Sequence, residues 1–523
     1  MTCMYPSNTA RKAGILMHIT SLPGPFGIGD IGPAARDFAN QLHNSAQQVW
    51  QLLPLSPASG GAGYSPYSAS SAMAGNIMLI SPELLAADGL LDPRTLPQFY
   101  LPAAATVDFE NAYANKTRLL EQAYQQFSRG RSREMDKAYR TFCRDQAYWL
   151  NDFARYQALT VLHDGRPWYE WKEEHTNAGA DDAALLAQQE KEKCWQFLFD
   201  RQWHDLKAYC NARDIQLLGD LPFYVSYNSA DVWAHRDLFM LDEKGNMQCV
   251  AGVPPDYFNG NGQLWNMPVY NWARLKKQRY SWWVHRLRRN LQWYNTLRLD
   301  HFRAFSSYWE VPAGAATAVE GAWRQGPGPS LFQRLQAAFP DLPFVAEDLG
   351  DIDDAVVQLR NQFQLPGMKV LQFAFGEDMP VSPHIPHHHA ANFIVYTGTH
   401  DNNTSRGWFR HDAAPEDIDR LAQYTGQPVT EEEIARVLGR MAYASVAHTA
   451  ILPMQDVLGL DEKARMNTPA AAGQHWNWRM LAGQFTAAMA VRLEEWTLVY
   501  NRKRSNENNG NLQAAGRTAI AQG

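Results

Sequence analysis

Three acidic residues, Asp300, Glu347 and Asp401, come at the ends of short apolar segments, from which carboxylates can reach a shared cleft. In glycosidic bond cleavage, one carboxylate attacks the anomeric carbon while another protonates the leaving oxygen. No glycine-rich phosphate loop and no persuasive set of metal ligands accompanies these acids. The pattern therefore favours glycosidic bond chemistry.

Polar neighbours strengthen this interpretation. Arg298 precedes Asp300 by two residues, so both side chains lie on the same side of a strand, and an arginine beside a carboxylate keeps it ionised. Asp220 is a fourth acid in the same kind of position. Any one such acid is equally well explained as a cap of the following helix. Coincidence becomes a weaker explanation as these acids accumulate.

Eight short apolar segments must position the acids. They are bounded by Gly, Pro or Asp and followed by helical periodicity, which is typical of buried parallel strands in βα units. The predicted strands are Gly14–Ile19, Val49–Leu53, Gln216–Gly219, Thr296–Leu299, Phe344–Ala346, Lys369–Phe373, Phe393–Tyr396 and Thr449–Leu452. This order predicts an α/β fold of the (β/α)8 TIM-barrel class, with catalytic residues at the C-terminal ends of the strands. The acids are therefore expected on one face of the barrel.

Uneven spacing predicts insertions into this barrel. More than 150 residues separate the second and third predicted strands, whereas a simple βα unit needs about 30. We expect residues 1–80 to form the first βα units, 81–205 a mainly helical insertion subdomain, and 206–500 the rest of the barrel with further loop subdomains. Residues 501–523 turn polar and lose periodicity, which is typical of a frayed tail.

Composition excludes several classes of protein. The 523 residues, 45% hydrophobic and 20% charged, are typical of a folded globular protein. A net charge of −6 without a basic stripe argues against a nucleic-acid partner. The five cysteines form no CxxC pair, so neither a disulfide framework nor a zinc cage is indicated. No apolar leader or membrane-length apolar run is visible, so we expect a cytoplasmic protein with no membrane partner.

Aromatic residues are frequent, at 12% of the chain with 18 tryptophans. Their flat amphipathic rings can stack on sugars, although a tryptophan-rich core explains the composition equally simply.

Two further patterns invite functional interpretations that we set aside. The glycines of Gly27–Gly32 form a GxGxxG motif. However, prolines separate this motif from the preceding strand, and no acidic residue ends a second strand about 20 residues on. A glycine loop that enters a helix at Pro33 is therefore favoured over a nucleotide site. A second pattern is a run of histidines that lacks ligand spacing, so no metal site is predicted from His384, His387, His388 and His389. The cysteines are interpreted as unreactive.

Taken together, several ordered motifs resemble those of the 4-α-glucanotransferases, the amylomaltase or disproportionating-enzyme family (glycoside hydrolase family 77) of the α-amylase superfamily. The resemblance runs from about Gly14 to Arg502. The matching stretches are Ser21-Leu22-Pro23, Gly27-Ile28-Gly29-Asp30, Tyr64-Ser65-Pro66-Tyr67, Gly75-Asn76, Gly219-Asp220-Leu221-Pro222, Val253-Pro254-Pro255-Asp256-Tyr257-Phe258, Arg298-Leu299-Asp300-His301-Phe302-Arg303, Ala346-Glu347-Asp348-Leu349-Gly350 and Thr397-Gly398-Thr399-His400-Asp401-Asn402.

The resemblance implies a role for each acid. Asp300 corresponds to the nucleophile, Glu347 to the general acid/base, and Asp401 to the residue that stabilises the oxocarbenium-like transition state. Tyr67 resembles the family's sugar-stacking tyrosine, and residues 254–258 its loop over the glucan. The full substrate-binding set implied is Ser65, Tyr67, Asn76, Asp220, Asp256, Tyr257, Phe258, Trp265, Arg298 and His400.

This resemblance implies transfer of α-1,4-glucan segments from a maltooligosaccharide or glucan donor to the 4-hydroxyl of a glucose or glucan acceptor, with no cofactor. A retaining hydrolase could use the same acids, and only the loop with its aromatic neighbours favours transfer. A catalytically silent glucan-binding protein would have no reason to keep the three acids together. Chain-length preference and oligomeric state are not predicted.

The sequence departs from the family pattern at a few positions. Ala304 replaces the Gly usual after His-Phe-Arg, and Asn266-Met267 replaces the usual Gly-x after the loop tryptophan. Ala470 and His475 stand where Gly and Asn are usual. These changes affect loop shape and acceptor preference rather than the type of reaction.

Overall fold

The fold is taken from a computed structural model that describes residues 11–171, 182–255, 260–469 and 475–502. The strands of these residues, numbered in chain order, are β1 (Lys12–Leu16), β2 (Val49–Gln51), β3 (Gln216–Leu221), β4 (Cys249–Val253), β5 (Gln263–Pro268), β6 (Thr296–Leu299), β7 (Ser307–Pro312), β8 (Ala322–Gln325), β9 (Phe344–Ala346), β10 (Gly367–Val370), β11 (Phe393–Tyr396) and β12 (Thr449–Pro453).

Eight of the strands form a parallel barrel, in the order β10-β11-β12-β1-β2-β3-β6-β9. Its two end strands, β9 and β10, meet at a seam. There the Ala346 N–H donates to the Pro366 carbonyl at 2.8 Å, and the Met368 N–H donates to the Asp348 carboxylate at 2.7 Å. The predicted (β/α)8 TIM-barrel class is confirmed, and all eight predicted strands belong to this barrel.

The helices cover the outside of the barrel and fill its insertions. Those in the described ranges are Pro33–Asn44, Pro82–Ala87, Phe109–Arg129, Arg133–Asp145, Ala147–Leu162, Ala183–Asn211, Ala230–Ala234, Trp272–Lys277, Ser281–Trp293, Arg303–Ser306, Pro329–Ala338, Asp354–Gln362, Ser405–Gly407, Pro415–Thr425, Glu431–Ala444, Met454–Leu458 and Ala487–Val499.

The segment between β2 and β3 is mainly helical. A buried ion pair joins it to the barrel, because Lys116 on the helix Phe109–Arg129 contacts Asp30, in the loop after β1, at 2.7 Å. Both side chains are less than a tenth exposed. Removing either partner would leave an uncompensated buried charge, so this contact fixes the segment beside the barrel mouth.

A second, antiparallel sheet was not among the sequence predictions. Its order is β5-β4-β7-β8, and its strands come from the segments that follow β3 and β6. This sheet carries Trp265 on β5. It therefore builds one side of the cleft above the strand ends.

The glycines of Gly27–Gly32 have structural explanations. Gly27 has φ +78°, a conformation that favours glycine. A Cβ on Gly29 would lie 2.0 Å from the Ile19 carbonyl oxygen. The helix that follows begins at Pro33, and proline is favoured at the first position of a helix. The structure thus agrees with a glycine loop entering a helix.

The described residues include the first two of the predicted polar tail, Asn501 and Arg502. Arg502 is fully buried, and its guanidinium donates to the carbonyls of Tyr443, Lys12 and Ser445 at 2.8 to 2.9 Å. The side chain of Arg502 is therefore part of the packed structure, and the rest of that tail lies outside the described residues. In the described part of the chain, no helix has the length and apolar character needed to cross a membrane.

Candidate active site

Arg298 is the centre of a cluster of acids at the C-terminal ends of the barrel strands. Its Nη1 donates to Oδ1 of Asp300 at 2.7 Å and to both carboxylate oxygens of Asp220 at 2.9 Å. Its Nη2 lies 4.0 Å from Oε2 of Glu347. Arg298 is 4% exposed. One buried cation therefore faces three acids from three adjacent strands, β3, β6 and β9.

A chain of hydrogen bonds connects this cluster to Asp401. The Tyr67 hydroxyl donates to Oδ2 of Asp220 at 2.7 Å, and its oxygen lies 2.8 Å from Nε2 of His400. That same Nε2 lies 3.2 Å from Oδ2 of Asp401. Because the Tyr67 O–H donates to Asp220, the Tyr67 oxygen can only accept a hydrogen bond from His400, and Nε2 of His400 must then carry a proton. The ring of Tyr67 also stacks on His400, with centroids 5.2 Å apart.

The close packing behind Asp220 has a local cause. Gly219 precedes it on β3, and a Cβ there would lie 2.3 Å from the ring of Tyr294. Only glycine lets this strand approach the tyrosine so closely. Asp220 itself is 1% exposed.

Glu347 is held by backbone donors. The His301 N–H donates to its Oε2 at 2.7 Å, and the Leu349 N–H donates to its Oε1 at 3.1 Å. Burial and the nearby Asp300 carboxylate nevertheless raise the pKa of Glu347 to about 8, against the opposing effect of Arg298. A carboxyl group that is protonated at neutral pH can act as a general acid.

Asp401 has the opposite electrostatic environment. Desolvation raises the pKa of Asp401. The effects of His400, the Asn467 amide and Arg298 outweigh it and hold that pKa below its usual range. The Asn467 amide donates to Oδ1 at 2.6 Å. Desolvation lowers the pKa of His400, but Asp401 outweighs it and the pKa is raised. These shifts favour the charged forms of both side chains, an imidazolium beside a carboxylate.

Trp265 lies next to the acid cluster because its ring contacts that of His301. Its ring lies 4.9 Å from that of His301, at an interplanar angle of 79°. His301 follows Asp300 directly, so the second sheet contributes an aromatic side chain next to the acids. The adjacent Asn266 has φ +53°, a conformation for which Asn is among the most tolerant non-glycine residues. This explains why Asn can stand where the family pattern has Gly.

The other departures from the family pattern are structurally mild or lie elsewhere. Ala304 is buried in the short helix Arg303–Ser306 and does not have positive φ, so it needs no glycine. Ala470 lies outside the described residues.

Some predicted binding residues do not join the cluster. The Ser65 hydroxyl accepts from the Tyr67 N–H at 3.2 Å and so shapes the turn that presents the tyrosine. Asn76 accepts from the Met78 N–H at 3.0 Å and caps a short turn, and it is 7% exposed. It also lines a neighbouring cavity with Trp476. Asp256, Tyr257 and Phe258 lie outside the described residues.

Several residues of the site were missed by sequence reasoning. Asn467 and Arg465 hold Asp401, the latter by donating to its carbonyl at 2.7 Å. Trp476 lies with its ring 5.6 Å from Tyr67. Asp456 receives hydrogen bonds of 2.5 to 2.7 Å from the Thr397 hydroxyl and from the N–H and hydroxyl of Ser405. Asp456 could have been found, because it is one more acid shortly after a predicted strand.

The histidines of the run from His384 to His389 make hydrogen bonds within the fold, and the cysteines are largely buried. Nδ1 of His384 accepts from the Val370 N–H at 3.2 Å, and His389 contacts the Ser445 hydroxyl at 2.7 Å. Burial raises the pKa values of Cys210 and Cys249 to about 12, which favours the unreactive thiol.

Comparison with known proteins connects this geometry to a family. A family model described as 4-alpha-glucanotransferase matches residues 17–484. The 4-alpha-glucanotransferase of Aquifex aeolicus is 43% identical over 475 residues, covering 90% of this chain and 95% of the relative. That of Thermus thermophilus is 42% identical over 496 residues, covering 92% and 97%. The structure of an amylomaltase from Streptococcus agalactiae in complex with acarbose is similar, with a TM-score of 0.89 and 35% identity over 94% of this chain and all of that one.

Proposed function

This chain belongs to the 4-alpha-glucanotransferases of glycoside hydrolase family 77, and from that premise we propose that Asp300, Glu347 and Asp401 carry its transfer of glucan segments. The observation that carries this assignment is the different surroundings of two acids beside one arginine. Arg298 pairs with Asp300 at 2.7 Å, while burial raises the pKa of Glu347 to about 8. A charged nucleophile and a protonated acid are what a retaining reaction needs.

The first step breaks the donor bond. Oδ1 of Asp300 accepts a hydrogen bond from Arg298, whereas Oδ2 accepts none from the described residues. Oδ2 is therefore the oxygen that attacks the anomeric carbon. Glu347 gives its proton to the departing glycosidic oxygen, and the donor segment becomes an ester of Asp300. Asp401, held as a carboxylate by His400 and Asn467, stabilises the positive charge that develops on the sugar.

The second step forms the new bond. Glu347, now a carboxylate, takes the proton of the acceptor's 4-hydroxyl as that oxygen attacks the ester. The Asp300 carboxylate leaves, Glu347 is protonated again, and the anomeric configuration is retained. The donor is a maltooligosaccharide or α-1,4-glucan, and the acceptor is glucose or a glucan. A hydrolase with the same acids is not favoured, because the matched family and relatives are transferases.

The test separates the two roles of Glu347. In Glu347→Gln, a glucan donor should react very slowly because its leaving oxygen needs a proton, whereas fluoride departs from α-glucosyl fluoride without one. The ester on Asp300 should then accumulate, as seen by intact mass. Azide needs no general base, so it should restore turnover and release an α-configured azide, identified by NMR.

Asp348→Asn is the matched control, since it changes the adjacent acid in the same way. This variant should keep turnover with glucans and gain nothing from azide. A folded Glu347→Gln protein that does not react with the fluoride, or a β-configured azide product, would contradict the assignment.

A further inference from the structure

A second cavity lies outside the active site, between the helices Ala147–Leu162, Ala230–Ala234 and Ser281–Trp293. Its volume is about 130 Å³, well above the roughly 10–15 Å³ that one water molecule needs. Ser71 lines both this cavity and the cleft that contains Asp220. The cavity is therefore adjacent to the wall of the active site but contains none of the acids assigned to transfer.

Aromatic side chains form one part of its lining. Trp149 and Phe153 are buried, and Tyr148, 37% exposed, has its ring 5.0 Å from that of His285. An exposed tyrosine ring beside that of His285 offers a flat apolar surface with a hydroxyl at its edge. Such a surface suits the apolar face of a sugar ring.

Hydrogen-bonding groups form the other part. The Asp152 carboxylate is half exposed and lies 4.0 Å from Nε2 of His235. Trp282 is buried, and its Nε1–H has no acceptor within the described parts of the chain. A buried donor without an acceptor is unfavourable and rare in folded proteins. That indole nitrogen has no surface open to the cavity, so the side chain that can accept from a sugar hydroxyl here is the Asp152 carboxylate.

The lining also argues against other ligands. Asp152 and Asp231 line the cavity, whereas no lysine or arginine is among the described lining residues, so the lining itself disfavours an anion. The carboxylate of Asp231 already accepts from the Ala72 N–H at 2.7 Å. No group of three or more potential metal ligands occurs in the described ranges. A half-exposed carboxylate and aromatic rings fit a neutral ligand with several hydroxyls.

We propose that this cavity binds one glucose unit, either as a free sugar or as the end of a glucan, separately from the active site. Asp152 accepts from the sugar hydroxyls, and Tyr148 covers one face of the ring. The proposal is independent of the roles given to Asp300 and Glu347, because binding of free glucose requires no glycosidic bond cleavage.

The experiment uses two methionines as reporters in the full-length protein with 13C-labelled methionine methyl groups. Met73 lines the proposed cavity, and Met466 lines the space beside His400 in the active site. Glucose alone contains no donor bond, so it can be titrated without turnover. We expect the Met73 methyl signal to shift saturably with glucose, with its own midpoint.

Substitutions then assign the Met73 response. Asp152→Asn and Tyr148→Ala should each raise the Met73 midpoint at least fivefold and leave the Met466 titration unchanged. Asp145→Asn is the matched control, because its side chain is 51% exposed against 48% for Asp152, it lies nearby in the chain, and it does not line the cavity. It should change neither signal. A Met73 signal that glucose does not move, or a Met73 midpoint that both substitutions leave unchanged, would overturn the proposal.

Discussion

The backbone N–H of His301 donates a hydrogen bond of 2.7 Å to Oε2 of Glu347. Because His301 follows Asp300 directly, the proposed acid is attached to the proposed nucleophile through the main chain of the neighbouring strand rather than through a mobile side chain. The Leu349 N–H occupies the other carboxyl oxygen of Glu347 at 3.1 Å. The orientation of the carboxyl group is therefore set before any sugar binds.

The raised pKa of Glu347 predicts an alkaline limit to activity. Burial raises this pKa to about 8, so the protonated, active form is lost as the pH rises through that value. We expect kcat/KM for maltotriose to fall about tenfold per pH unit above this limb. Single-turnover glycosylation by α-glucosyl fluoride needs no proton and should lack the limb. The same limb with both donors would contradict the assignment of Glu347 as the acid.

Asp300→Asn keeps the size of the side chain and removes the attacking oxygen. We expect turnover to fall by several orders of magnitude. Stability should change little, because Arg298 keeps its two hydrogen bonds to Asp220 at 2.9 Å. Product analysis with maltotriose and a thermal melt make the two measurements. Unchanged turnover, or inactivity that the melt explains entirely by unfolding, would remove Asp300 from the role.

Tyr67 has a ring and a hydroxyl with separable functions. Tyr67→Phe keeps the ring stacked on His400 but removes the donor to the buried Asp220, which should lower the free energy of unfolding by about 1–3 kcal/mol. Tyr67→Ala also removes the stacking surface, so we expect its KM to rise about tenfold more than that of the Phe variant. Urea unfolding and steady-state kinetics measure these effects. Equal KM values in both variants would exclude stacking by the ring.

Asp348 stands next to Glu347 in the chain but has a structural role in the fold. It pairs with Arg360 and accepts from the Met368 N–H at 2.7 Å, across the seam between β9 and β10. Asp348→Asn breaks a largely buried ion pair, so we expect a loss of about 3 kcal/mol in urea unfolding. Activity per folded molecule should stay within about threefold of the parent. A stable variant with little activity would reverse this interpretation.

Arg502 should be a major contributor to stability. Arg502→Ala removes a buried donor from the carbonyls of Lys12, Tyr443 and Ser445 and leaves a large cavity, so we expect a loss of at least about 3 kcal/mol. Arg440→Ala is the matched control, because Arg440 is exposed and donates to the Tyr500 hydroxyl. It should cost less than about 0.5 kcal/mol. Similar losses in both variants would contradict the argument from burial.

The barrel was predictable because its strands are short, apolar and clearly bounded. Thr296–Leu299, Phe344–Ala346 and Phe393–Tyr396 have the bounds that the sequence predicts. The strand expected at Lys369–Phe373 instead ends at Val370, since Leu371–Phe373 forms a 3-10 turn that continues the apolar pattern. Periodicity alone does not distinguish a short turn from the end of a strand.

The second sheet and part of the site were not predictable in this way. Strand β8 is exposed throughout and β5 is mostly half-buried, so neither has the apolar signal of a core strand. Their pairing depends on partners distant in the chain. Asn467 likewise contacts Asp401 across 66 positions, a relationship that no local pattern encodes.

The seam between β9 and β10 has a consequence for inactivation by heat. Within the described residues these two strands share no hydrogen-bonded ladder and are joined mainly by the Ala346–Pro366 and Asp348–Met368 contacts. Glu347 lies between the two residues of β9's end that make those contacts. Local separation of β9 from β10 would move Glu347 away from Arg298 while the other seven pairs of neighbouring strands remain hydrogen-bonded. Catalysis would then fail at a lower temperature than the one at which the helices melt.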